Sequence, residues 1–89
     1  METRIALVGI VVENKDSAKR INDILHEYGA YIVGRMGIPY PKRNVSVISI
    51  VMDAPSDTIS ALSGKLGMIP HVNIKTVYSK LGSQPSLKP

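Results

Sequence analysis

Apolar and polar positions along the chain follow one order twice. Arg4–Val12 is a β-type run, Ser17–Tyr28 carries helical spacing, and Tyr31–Ile38 is a second β-type run. The series then restarts, with Val45–Met52 as strand, Asp57–Leu66 as helix and Val72–Tyr78 as strand. A β-α-β-β-α-β order within 89 residues predicts an α+β, ferredoxin-like fold of the split-βαβ kind. Its four strands form an antiparallel sheet with two helices on one face. That scaffold carries many unrelated activities, so function must come from the residues placed on it.

The first strand is apolar on both alternations, Ile5, Leu7 and Val11 against Ala6, Val8, Ile10 and Val12. The third behaves alike, with Val45, Val47 and Val51 opposite Ile48, Ile50 and Met52. The fourth alternates more cleanly, Val72 and Ile74 against Asn73 and Lys75. Strands one and three are therefore the central pair. Helix one sets Ala18, Ile21, Ile24, Leu25 and Tyr28 on one stripe, with Asn14 or Asp16 as cap and Gly29 as stop. Asp16 stands four residues before Arg20, the spacing of a helical ion pair. Helix two turns Ile59, Leu62 and Leu66 inward and ends at Gly67. Pro39–Asn44, with two prolines, reads as the loop between repeats. Residues 1–79 form the domain, and 80–89 read as a flexible tail.

Two helices cover only one face of such a sheet, yet both central strands are apolar on both faces. An open aliphatic face of that size needs a cover, and another copy of the chain is the simplest one. A homodimer or homotetramer joined through the sheet is the expectation.

Charge narrows the partners. Of eleven Lys and Arg, Lys80 and Lys88 lie in the tail, leaving nine against seven acidic side chains, a net of +2 over residues 1–79. That is no basic stripe, and no sequence-specific DNA binding is expected. With no cysteine there are no disulfides, thiolate sites or cysteine nucleophiles, and the cytoplasm is the default compartment. No membrane span or leader peptide is recognised.

Candidate chemistry is sparse. The central strands carry no aromatic residue to stack bases, against RNA recognition on this fold. Gly64-Lys65 lacks the rest of a phosphate loop, for Ile59 and Leu66 occupy the glycine and Ser/Thr positions. Close packing at Gly64, with Lys65 complementing a helix C-terminus, explains the pair without a ligand. His26 and His71 stand in different elements without metal-ligand spacing, so no metal or other cofactor is expected; two copies could still pool four imidazoles. No nucleophile stands with its base, so no catalytic residue is named. Two segments are not explained by the core, Arg35–Tyr40 and Ser60–Gly67. Their small residues admit a ligand or another backbone, and Arg35 can grip an anion in bidentate fashion. The candidate effector residues are Arg35, Gly37, Pro39, Gly64, Lys65 and Gly67, for a small carboxylate or phosphate.

Ile10-Val11-Val12-Glu13, Arg35-Met36-Gly37-Ile38-Pro39, Ala61–Gly67 and Val72–Val77 together resemble a family of small regulators of iron-only hydrogenase systems. Their domain is ACT-like, similar to the C-terminal sensor domain of the nickel-responsive regulator. The resemblance covers roughly residues 3–78. It implies an oligomeric regulatory domain associated with hydrogenase systems; the leading reading built on it is a non-enzymatic, ACT-like regulatory domain, linked to transcription regulation, with room for a small effector at a subunit interface. The nickel sensor's ribbon-helix-helix arm and its histidine and cysteine ligands have no counterpart here. The Asp-x-Pro-Gly segment of amino-acid-binding ACT domains is replaced by Glu13-Asn14-Lys15-Asp16-Ser17. The alternative reading is a structural protein-interaction module with no small-molecule ligand.

Overall fold

The structure, a computed structural model, describes residues 2–79; the expected tail at 80–89 lies outside the described residues. Strands β1 (Arg4–Val12), β2 (Ile32–Tyr40), β3 (Val45–Ala54) and β4 (Val72–Tyr78) pair in the order β2-β3-β1-β4, every pairing antiparallel. Helix α1 (Ala18–Glu27) joins β1 to β2, and α2 (Ser56–Gly67) joins β3 to β4. This is the ferredoxin-like order the repeat predicts.

The helices decide which alternation is inside. Ala6, Val8, Ile10 and Val12 of β1 and Ile50, Met52 and Ala54 of β3 are buried. They form one core with Ile21 and Leu25 of α1, Tyr28 just after it, and Ile59, Leu62 and Leu66 of α2. The other alternation faces away from the helices, and Leu7 remains 46% exposed there. The core is aliphatic apart from Tyr28 and Met52.

Several local expectations shift. Asn14, not Asp16, is the cap: its Oδ1 accepts from the Asp16 backbone N–H at 2.9 Å, opening a 3-10 turn at Lys15–Ser17. Asp16 therefore precedes α1, and the i,i+4 pair on the helix is Lys19–Asp23 at 3.1 Å. Ala18 is exposed, so it does not belong to the buried stripe. The start of α1 is tied down by Ser17, whose buried Oγ donates to the Pro70 carbonyl at 3.2 Å.

β2 also runs further than its prolines suggest, with Pro39 opposite Ser46 and Tyr40 opposite Val45. Only Pro41–Asn44 remain as the connection, ending on Asn44 at φ 58. The reason is position. β2 is an edge strand with one partner, and an edge has room for a proline whose missing N–H breaks no second ladder.

Candidate functional site

β2 is the anomaly of the fold, since beyond Ile32 every residue of the strand is exposed. Its alternation puts Arg35, Gly37 and Pro39 level with Ile50, Ile48 and Ser46 on the helix side. Gly34, Met36, Ile38 and Tyr40 stand level with Val51, Ser49, Val47 and Val45 on the open side. A slip in register between Ile32 and Gly34 sets this phase.

α1 stops short of covering the edge strand. Between them runs a groove of about 590 Å³, lined among others by Lys15, Ala18, Asn22, Arg35, Gly37 and Pro39. Ala18, off the core stripe, gives the groove a low wall, and Gly37 keeps its floor open, with no atom within 4 Å of where a Cβ would stand. Arg35 is fixed at one side, its Nη2 donating to Asn22 Oδ1 at 3.0 Å. One amide takes one of five guanidinium donors, so the rest of the fork remains for an anion. Lys15 adds a second cation, and Val12 and Ile48 supply apolar contact. The groove suits a small molecule with an anionic group and an apolar body.

The other three candidate residues stand elsewhere. Lys65 donates to Glu27 Oε2 at 3.1 Å and lies 5.0 Å from the centre of the Tyr28 ring, at the C-terminal end of α1. The Tyr28 side chain, and after it the Glu27 carboxylate, hold the Lys65 ammonium above the ordinary lysine range. Gly64 and Gly67 flank it on α2, and a Cβ at either would meet nothing within 4 Å among the described residues, so close packing against those residues does not explain them. Within one chain Arg35 and Lys65 thus engage α1 at Asn22 and Glu27, about a turn and a half apart. His26 and His71 are both exposed. Among the described residues no three of His, Cys, Asp and Glu come together as a metal cluster.

Sequence reasoning missed Lys15, Ala18 and Asn22. The fault in the helical stripe at Ala18 was the available signal, a small apolar residue where the buried face should begin. Opposite the groove lies the open sheet face. Ile5, Leu7, Met36, Ile38, Tyr40 and Val77 are large and exposed on it, Met36 at 60% and Val77 at 62%. Among the described residues no helix is long and apolar enough to cross a membrane.

A model of the TM1266-like family, described as "Iron-only hydrogenase system regulator, putative", matches residues 4–76. The chain belongs to that family. Uncharacterized protein TM1266 from Thermotoga maritima superposes with a TM-score of 0.85 at 39% identity, over 89% of this chain and 100% of that one. The apo form of CPII, a nitrogen regulatory PII-like protein from Thiomonas intermedia K12, matches with a TM-score of 0.53 at 14% identity, covering 85% of this chain and 91% of that one. CPII bound to ADP, AMP and acetate gives 0.51 at 13% identity, over 89% and 91% of the two chains. The CPII likeness is one of fold. No curated protein matches the chain. The TM1266-like match takes in β1 through most of β4, so the groove and the open face both lie inside the family domain.

Proposed function

We propose that this TM1266-like chain is a non-enzymatic, cytoplasmic, ACT-like regulatory domain that works as an oligomer and takes a small anionic effector. Its copies join through the open sheet face, as a dimer or tetramer, and the α1–β2 groove holds the effector. Arg35 grips the anion, Gly37 and Pro39 shape the floor, and in the tetramer Gly64, Lys65 and Gly67 come to the site from a copy packed on the helix side, not from the one across the open face. The observation that carries this reading is β2 itself. One edge strand offers a fixed arginine over an open groove on one side and an exposed apolar row, Met36, Ile38 and Tyr40, on the other.

The family description supplies the regulatory role and its setting in iron-only hydrogenase systems. Regulation of transcription would then run through a partner, because the nine basic and seven acidic side chains of residues 1–79 give no surface for reading DNA. The experiment has two arms. Light scattering at micromolar concentration should show at least a dimer, and a well-folded monomer at high concentration would sink the assembly. Thermal shift against metals, amino acids, nucleotides and small carboxylates should single out anions, with stabilisation rising as the logarithm of their concentration. A flat response across that panel would leave a ligand-free interaction module as the better reading.

A further inference from the structure

The open face carries two charges in sixteen strand positions, Lys75 on β4 and Asp53 on β3, and neither has an ion-pair partner among the described residues. Lys75 is level with Gly9 and Asp53 with Ile5 on the strand that separates them. Leu7, midway between Gly9 and Ile5, therefore lies at the midpoint of the line from Lys75 to Asp53. Met36 is level with Ser49, which is level with Gly9, two strands from Leu7. With about 4.8 Å between strands and about 3.3 Å per residue, the line from Leu7 to Met36 crosses the Lys75–Asp53 line within roughly a few degrees of a right angle.

That coincidence defines a symmetry. We infer that two copies close their open faces about a two-fold axis running over Leu7 and Met36, each Lys75 meeting the partner's Asp53. The inference rests on the reading that a second copy covers this face. On the axis Leu7 and Met36 meet their own counterparts, as an isologous interface requires. The same rotation brings Ile5 beside the partner's Val77 and Val51 over the partner's Gly9. Strands of the two sheets then cross at about 70°, close to the orthogonal class of sheet packing. A lysine and an aspartate together span the roughly 10 Å between packed sheets.

Gly9 supports the arrangement independently. Glycine weakens a strand interior and often marks the close approach of another backbone or a ligand. Nothing among the described residues requires it, since an added Cβ would meet only the Lys75 carbonyl oxygen there, at an ordinary 3.9 Å. The partner's Val51 gives the vacancy an occupant. The overlap centres on Ile5, Leu7, Met36, Val51 and Val77, while Tyr40 and Val45 at the far end of the face lie beyond the partner's sheet edge.

The test is a charge exchange read by sedimentation velocity on the full chain across a dilution series. Lys75→Glu and Asp53→Lys should each raise the dimer dissociation constant at least about tenfold, because each sets two like-charged contacts in its homodimer. Mixing the two variants should restore association to within about threefold of wild type, since the heterodimer has both contacts attractive. Gly9→Val should stay folded by circular dichroism and still weaken the dimer about tenfold. Single reversals that leave the dimer intact, or a mixture that does not recover, would overturn the pairing. Leu7→Asp separates this from the reading beneath it: if that chain also remains a dimer, the open face is not the interface at all.

Discussion

Arg35 Nη2 reaches Asn22 Oδ1 at 3.0 Å, so the arginine of the edge strand is held by the helix that walls its groove. An exposed hydrogen bond of this kind adds little to stability, but it fixes where the guanidinium points. Arg35→Ala should leave the oligomer and the melting temperature nearly intact. Any anion that raises the melting temperature of wild type should lose that effect. Asn22→Ala should weaken the same anion by about three- to tenfold, through loss of positioning. If Arg35→Ala instead breaks the oligomer, the arginine is an interface residue and the effector site fails.

Ser17 makes a different kind of contact. Its hydroxyl is buried and ties the entry to α1 to the turn before β4, through the Pro70 carbonyl. Ser17→Ala leaves that carbonyl short of a donor at a cost of about 1 kcal/mol. For a domain of this size the melting temperature should fall by about 4–8 °C. Scanning calorimetry would show it, and an unchanged transition would mean that water replaces the hydroxyl.

Duplex DNA gives the third test. The charges of residues 1–79 nearly balance, and those on the helices are partly spent in pairs such as Lys19–Asp23 and Lys65–Glu27. Binding to any duplex should be weak, indifferent to sequence, and lost steeply as salt rises. A gel-shift or anisotropy titration at physiological salt checks this. A nanomolar, sequence-selective complex formed by this chain alone would overturn it.

The fold was legible because its period changes cleanly between 2 and 3.6, and β1 and β4 end where their alternation ends. β2 continues through Pro39 and Tyr40, residues whose types predict a loop, for sequence does not say that a strand lies at an edge. The groove was legible only in part. Arg35, Gly37 and Pro39 stood out by residue type, whereas Lys15, Ala18 and Asn22 join them only through the place where α1 comes to rest. Nor does the alternation of β1 name its inner face, since both rows are aliphatic. That choice is made by the side on which the two crossovers lay their helices.

This last ambiguity gives the sharpest prediction, because neighbouring residues of one strand should behave oppositely. Val8 is fully buried between the sheet and the helices, and Leu7, one residue earlier, is 46% exposed. Val8→Asp would bury a carboxylate with no partner, a loss of several kcal/mol against a total stability of about 5–15 kcal/mol. It should abolish folding or leave the chain insoluble. Leu7→Asp places the same group where water reaches it, so the single chain should keep its circular dichroism and a cooperative melt. What it should lose is self-association, because the carboxylate stands in the middle of the apolar face. Circular dichroism and sedimentation on the two variants decide the matter. A folded Val8→Asp chain would place the core on the wrong side of the sheet, and an unfolded Leu7→Asp chain would mean that the fold does not persist without its partner.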